Sequence, residues 1–213
     1  MRPVRWTLVA ITIPVLLWSA APAAAQRPSE GWVRVAVNPY AGILFIDDDE
    51  LRDGAGVEVD PGPLLGGRIG VAIGEDWRFE GAYGWASGKV EQSEFVDFPL
   101  FEFEDSMDLS IHLFYGAVDY LIPSGAAPTR LLLSAGAGFM MIDPEEGESD
   151  SDFMATLGAG FTHPVNDWIT FRGEARDHIV FCAAQAAGEF ALCFEDEPLH
   201  NFEVSGGLEF WVF

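Results

Sequence analysis

The stretch Ile169–Arg176, ITFRGEAR, shows the pattern that decides the fold of this chain. Its odd-numbered positions are apolar or small, and its even-numbered positions carry a hydroxyl or a charge. Successive side chains of a β-strand point to opposite faces, so a period of two indicates a strand. Similar alternation recurs from about residue 65 to Phe213 and predicts an all-β fold.

The polar phase of the strands indicates which face is enclosed. The exterior of a water-soluble barrel would be dense in Lys and Glu, whereas small residues with a few charges suit a narrow interior behind a lipid-facing wall. Two strands show the second pattern, with polar phases that read Gly66, Arg68, Gly70, Ala72 and Ser134, Gly136, Gly138. The sequence therefore predicts a transmembrane β-barrel.

Period-two runs between turn signals predict eight antiparallel strands in up-and-down order. Their predicted bounds are 32–46, 64–73, 77–87, 107–121, 129–141, 153–163, 168–180 and 200–213. Nearly all reach the about 9 to 11 residues that a tilted membrane strand needs. The connections alternate between short turns (74–76, 123–128, 164–167) and long links (47–62, 88–106, 142–152, 181–199). An up-and-down barrel places all the long links at one end.

Charged residues fall on the enclosed phase of the predicted strands. Charges in a narrow lumen are costly unless they are paired and hydrogen-bonded. We therefore expect an interior salt-bridge network of Arg34, Arg68, Arg78, Glu80, Arg172, Glu174, Arg176, Glu203 and Glu209. Because an eight-stranded barrel has room inside only for side chains, the sequence predicts a plugged lumen.

Aromatic residues on the outward phase lie toward strand ends, which is typical of a membrane interface. We interpret four of them as an aromatic girdle: Trp77, Tyr83, Trp85 and Trp168. Trp77 and Trp168 each open a strand directly after a short turn, which favours a girdle at the short-turn end. Trp168 is included because of its expected depth in the membrane, although by strict alternation it shares the phase of Arg172.

Residues 1–25 have the features of a cleaved export signal. Arg2 and Arg5 precede an apolar run at 6–18, and three alanines supply a small-residue cleavage site. The apolar run is shorter than the about 20 residues of a membrane-spanning helix. We therefore expect residues 26–213 to form one barrel domain.

Cys182 and Cys193 are the only cysteines. An exported chain meets an oxidising compartment, so we predict a disulfide between them. Closing this short loop would stabilise the fold by about 2 to 3 kcal/mol. The alternative is two free thiols.

Acidic residues dominate the chain after residue 25, where 34 acids face nine basic residues, a formal net charge of −25. This balance argues against nucleic-acid partners, which require basic surfaces. The four long links hold 23 of the acids and predict an acidic, solvated rim. None of these runs has the spacing of a recognised calcium loop, and we predict no dedicated metal site.

The C-terminal segment 206–213, GGLEFWVF, carries the most specific resemblance to a known family. With Phe210, Trp211 and Phe213, it is similar to the assembly signal of small eight-stranded outer-membrane barrels of Gram-negative bacteria, the family of the outer-membrane protein A barrel domain. As architecture, the resemblance covers residues 31–213. It implies location in the cell outer membrane, insertion by the barrel-assembly machinery, and contact with outer-membrane lipids and lipopolysaccharide. Divalent cations could bridge the acidic links to that anionic surface, because hard cations take oxygen ligands.

Two features depart from the usual pattern of the family. Glu209 falls on the phase of Trp211 and Phe213, so either a bulge shifts the last residues or both aromatic side chains point inward at the rim. Pro39 lies inside the predicted first strand, although a closed barrel has no free edge where a missing donor goes unnoticed.

We favour a structural, envelope or surface-interaction role with a plugged polar lumen, without catalysis and without a cofactor. A narrow channel or a carrier for small hydrophobic solutes is the alternative. It is suggested by four apolar residues on the predicted inward phase: Phe114, Val118, Leu132 and Met140.

A lipid A-modifying enzyme is the third hypothesis. Such an enzyme needs a base and a nucleophile within hydrogen-bond reach. Ser110 and His112 share a strand face and could form such a pair, whereas His178 and Asp177 are sequence neighbours that face opposite sides.

Overall fold

The computed structural model describes residues 33–46, 57–92, 106–124, 128–144, 149–181 and 198–212. Within these ranges, none of the residues forms a helix long and apolar enough to span a membrane. The described residues form nine strands: β1 Val33–Phe45, β2 Val57–Val59, β3 Gly62–Ile73, β4 Trp77–Gln92, β5 Ser106–Pro123, β6 Arg130–Pro144, β7 Asp150–Pro164, β8 Ile169–Phe181 and β9 Leu199–Trp211.

Eight of these strands close into an antiparallel barrel. The order around the wall is β1, β3, β4, β5, β6, β7, β8 and β9, and β9 pairs with β1 to close the cylinder. The short strand β2 pairs only with the last residues of β4, at Val90–Gln92. The predicted eight-stranded up-and-down barrel is confirmed, and β2 is an addition that the sequence pattern did not indicate.

Seven of the eight barrel strands extend one to five residues further toward the long links than predicted, whereas β1 ends at Phe45. β4 ends at Gln92, and β5 begins at Ser106. The link predicted at 142–152 is reduced to 145–149, because β6 and β7 remain paired up to Ile142 and Asp150. The acidic residues of this region resemble a loop in sequence, yet part of them continues the ladder. We call the end of the barrel where β3 is followed by β4, β5 by β6 and β7 by β8 the short-turn end, and the opposite end the long-link end.

The two faces of the wall differ as the alternation predicts. Every barrel strand presents large apolar side chains outward, including Val37, Ile69, Phe79, Phe114, Leu133, Leu157, Phe171 and Val204, each more than a third exposed. In water such a continuous apolar wall would be unfavourable, and around a barrel it is typical of contact with lipid.

The lumen is divided into two regions. Toward the long-link end it contains packed apolar side chains, among them Leu44, Leu64, Ile111, Leu113 and Met154, which are fully buried. Charged side chains lie beyond this cluster, and Leu121 and Leu132 are buried close to the short-turn end. The predicted export signal, both cysteines, Phe213 and most of the acidic link residues lie outside the described residues.

Pro39 interrupts the ladder where the chain closes on itself. β1 and β9 pair at Val37 with Phe210 and again from Tyr40 with Gly207, in one register, while the intervening pairs are missing. Proline has no N–H to donate. The gap therefore indicates that the missing donor faces β9, whereas pairing of β1 with β3 continues through Pro39.

Candidate functional site

The charged lumen is built from alternate positions of five strands. Arg68 lies on β3, Arg78 and Glu80 on β4, and a group of three, Arg172, Glu174 and Arg176, on β8. Asp119 on β5 and Glu203 and Glu209 on β9 complete the set. Every one of these side chains is at most 2% exposed. Four guanidinium groups thus face five carboxylates within the described lumen.

Glu80 and Glu174 form the centre of the network, and each contacts three arginines. Arg172 donates to Glu80 from two nitrogens, at 2.6 and 3.3 Å. Its Nε donates to Glu174 at 3.1 Å, and its Nη2 lies 2.8 Å from the same carboxylate oxygen. Arg176 donates to Glu80 at 3.2 Å and to Glu174 at 2.5 Å. Arg68 approaches Glu174 at 3.6 Å and Glu80 at 4.0 Å. Shared, charge-assisted contacts of this kind satisfy groups that would otherwise be buried and unpaired.

Two branches extend from this centre. Arg68 donates to Glu203 at 2.8 Å, and the opposite oxygen of Glu203 lies 3.0 Å from His178 Nε2. Arg78 donates from Nε to Asp119 at 2.9 Å and also pairs with Glu209. Asp119 lies 3.3 Å from Arg172, which links the second branch to the centre. The charged side chains therefore form one connected network.

Two tyrosines separate the network from the apolar region. The Arg68 guanidinium lies 3.7 Å from the ring centroid of Tyr40, and that of Arg176 lies 4.7 Å from the centroid of Tyr115. Arg68 Nε also donates to the Tyr115 hydroxyl at 3.4 Å. Cation–π contacts of this kind stabilise desolvated guanidinium groups. Both rings are buried and also belong to the apolar cluster.

Arg34 differs from the other predicted network residues. It is half-buried on β1 near the short-turn end, and its guanidinium carbon lies 4.1 Å from the centroid of a Trp211 ring. In the described residues no carboxylate lies within ion-pair distance of Arg34. The structure therefore places Arg34 on the predicted inward phase but against an aromatic ring.

The predicted phase of β5 is wrong. Phe114 and Val118, predicted to face the lumen, are exposed on the outer wall, and His112 is bonded there to the Tyr83 hydroxyl at 2.9 Å. The alternation was ambiguous because both faces of β5 carry apolar side chains. The same error hid Asp119, which has 0% exposure. A lone carboxylate in a lipid-spanning strand should face inward, and this signal could have fixed the phase. Leu132 and Met140 of β6 do lie inside.

The nominated reactive pairs are not supported by this geometry. Ser110 shares the outward phase of His112, and His178 and Asp177 lie on opposite faces of β8. Asp177 is bonded instead to His200, at 2.9 Å. Within the described residues, no group of three or more His, Cys, Asp or Glu side chains could hold a metal ion.

The predicted girdle residues lie at two depths. Trp77 and Trp168 are half-exposed at the short-turn end, where Trp77 contacts Tyr120 with ring centroids 4.8 Å apart. Tyr83 and Trp85 lie further along β4 toward the long-link end. Tyr83 opens a row of outward rings that are cross-strand partners: Tyr83, Phe114, Phe139, Phe153 and Phe181. Two aromatic belts are typical of a membrane barrel.

The C-terminal aromatic residues also differ in direction. Phe210 is exposed on the outer wall, whereas the Trp211 indole is half-buried and donates to Thr170 Oγ1 at 3.1 Å. Thr170 is an inward residue of β8. Of the two arrangements that the sequence left open, Trp211 pointing inward at the rim is the observed one.

Comparison with known proteins identifies the family. The family model described as the outer membrane protein beta-barrel domain matches residues 10–210. No curated protein matches the sequence. Among solved structures, Neisserial surface protein A superposes with a TM-score of 0.58 at 12% identity, covering 83% of this chain and 96% of that one. The outer membrane protein OprG from Pseudomonas aeruginosa superposes with a TM-score of 0.55 at 11% identity, covering 85% and 98%. At these identities the two structures show a shared fold. From the family match, the chain belongs to the outer membrane protein β-barrel family and is a protein of the outer membrane.

Proposed function

We propose that this protein is a plugged barrel with a structural or surface-interaction role in the envelope, and that it neither conducts solutes nor catalyses a reaction. One contact supports this proposal above all others. Arg172 and Glu80 lie on β8 and β4, which are four strands apart on either path around an eight-stranded wall, yet their charged groups are 2.6 Å apart. Side chains that meet across the diameter leave no room there for a water-filled pore.

The remaining lumen supports the same proposal. Arg176 reaches Glu80 across the same diameter at 3.2 Å, and the apolar cluster fills the lumen toward the long-link end. A solute that crossed the barrel would have to separate both the apolar packing and the ion pairs. Such packed interiors are rigid, so we expect no passage of solutes through this lumen.

Conductance in planar bilayers tests the proposal. Vesicles that carry the folded protein, with its insertion verified by protease protection, are fused to the planar bilayer. The unmodified protein should then give no resolved channel openings above those of the bare bilayer. The double variant Glu80→Ala/Arg172→Ala is the matched comparison, because it removes the pair that spans the lumen. Discrete, reproducible openings of the unmodified protein would refute the plugged lumen.

We infer that outer-membrane lipids surround the wall and that the acidic links lie against lipopolysaccharide through divalent cations. The two aromatic belts and the 23 acids of the predicted links support this inference. Delivery by an export signal at 1–25 and insertion by the barrel-assembly machinery belong to the same proposal. Lipopolysaccharide that co-purifies in the presence of Mg²⁺ and is released by a chelator is the expected result.

A carrier for small hydrophobic solutes is the second candidate, and the apolar half of the lumen favours it. Its side chains, such as Leu44, Leu64 and Leu113, are fully buried against one another. A carrier should show saturable uptake of an apolar probe into vesicles, whereas the plugged barrel should show none above protein-free vesicles.

A further inference from the structure

The seam between β1 and β9 is where the two ends of the barrel sheet meet. Its ladder is incomplete, because the pairs at Asn38 and Pro39 are missing. Backbone groups without partners are costly inside a bilayer. The short-turn part of the seam therefore depends on a few contacts below the gap, at Ala36 with Trp211 and Val37 with Phe210.

Trp211 contacts residues on both sides of β9. Its backbone N–H donates to Trp168 O at 2.9 Å, and its indole N–H donates to Thr170 Oγ1 at 3.1 Å. The other contact comes from β1, where the Arg34 guanidinium carbon lies 4.1 Å from the indole centroid. Val212 N donates to Val35 O at 2.8 Å, next to Arg34. One indole thus joins the first strand to the last two.

The inward direction of Trp211 follows from strand parity. Trp211 lies two residues after Glu209, which is buried in the lumen, and the alternation continues to the strand end. An aromatic ring with one N–H can offer its face to a cation while its edge donates a hydrogen bond. These are the two interactions observed. Arg34 consequently has an aromatic partner, whereas the lumen arginines Arg68, Arg78, Arg172 and Arg176 are ion-paired.

We propose that Arg34 and Trp211 form a clamp that holds the seam closed below the Pro39 gap and covers the short-turn mouth of the lumen. The indole then stabilises the interior of the barrel, which is a different role from the assembly signal that the resemblance implies. The clamp does not depend on the absence of conductance, because it concerns pairing of β1 with β9. The Trp211 indole contacts Arg34 on one side and Thr170 on the other.

Hydrogen exchange of the folded protein in lipid vesicles tests the clamp. In Trp211→Ala, the amides of Val37 and Phe210 should exchange at least about tenfold faster, a change equivalent to about 1.4 kcal/mol. Amides of the β6–β7 ladder should change little. Leu208→Ala is the matched control, because it truncates an outward side chain of the same strand.

A double-mutant cycle with Arg34→Ala distinguishes the clamp from a local effect of truncation. If the two residues act together, the double variant should open the seam no more than Trp211→Ala alone. Trp211→Phe retains the ring and should give an intermediate rate, which also provides a reading if Trp211→Ala does not fold. The proposal is overturned if seam exchange in Trp211→Ala equals that of Leu208→Ala, or if the Arg34 and Trp211 effects add independently.

Discussion

Arg172 contacts three buried carboxylates, those of Glu80, Asp119 and Glu174. Its removal leaves these charges underpaired in the lumen, and breaking a buried pair in this way costs about 3 to 5 kcal/mol. We expect Arg172→Ala to lower the free energy of unfolding by this amount, measured by urea titration in lipid vesicles. Arg130→Ala is the control, because its ion pairs with Glu75 and Asp76 lie at the surface and should change stability by less than about 1 kcal/mol. Equal losses in the two variants would argue against the network.

Gly138 allows two strands to lie close together. A Cβ at this position would overlap the Phe114 carbonyl oxygen and lie 2.6 Å from Tyr115 Cα. We therefore expect Gly138→Ala to destabilise the barrel by about 1 to 3 kcal/mol, as overpacking commonly does. Gly81→Ala should not, since a Cβ at position 81 would have no heavy atom within 4 Å. The same urea titration compares the two, and a larger loss from Gly81→Ala would contradict this packing.

Single residues show how far the sequence could specify the lumen. The charged residues of β4, β8 and β9 alternate with clearly apolar or small neighbours, so their phase could be read directly. β5 could not be read in this way, because its inward face changes from Leu109, Ile111 and Leu113 to Asp119 along its length. Which carboxylate pairs with which arginine depends on side-chain reach across the barrel, and alternation carries no information about it.

Among the strands, β1 contains the position most suited to a test of register. A residue other than proline at position 39 would supply an N–H directed at β9, where the ladder is interrupted. We expect Pro39→Ala to add a protected amide at position 39 and to raise stability by about 0.5 to 1.5 kcal/mol, the net value of one hydrogen bond. Rapid exchange of that amide would show that the missing donor faces elsewhere.

The link between β8 and β9 contains both cysteines, which lie outside the described residues. The flanking strands pair up to Val180 and Leu199, so one loop carries the two thiols. The prediction of a disulfide stands, and the purified protein should lack free thiols by mass analysis. Reduction should then lower the free energy of unfolding by about 2 to 3 kcal/mol. Two alkylatable thiols in the untreated protein would contradict it.

Strand bounds were predictable where turn residues are strong and less so elsewhere. Gly74, with a positive φ of 68°, ends β3 in a tight turn that its sequence signalled. By contrast, β4 continues five residues past its predicted end, because a strand that projects above a membrane is stabilised by pairing with its neighbour and needs no apolar face. β2 escaped prediction because it is a three-residue strand, too short to show an alternating pattern, and it pairs with the end of β4.

For the whole molecule, the account depends on an apolar wall that contacts lipid and a charged interior that does not. The barrel architecture and the two faces both follow from one alternating pattern. A specific envelope role does not follow from it, because a fold shared at 11% to 12% identity carries no partner with it.

Carbene labelling from the lipid phase tests the central claim most directly. A membrane-soluble photoreactive probe, activated in vesicles that contain the folded protein and read out by peptide mass spectrometry, should modify alternate residues of β7. We predict labelling at Phe153, Leu157 and Phe161 and none at Met154, Thr156 or Thr162, with the lumen arginines also unlabelled. Labelling that does not alternate, or that falls on Arg172 and Arg176, would contradict the lipid-facing barrel.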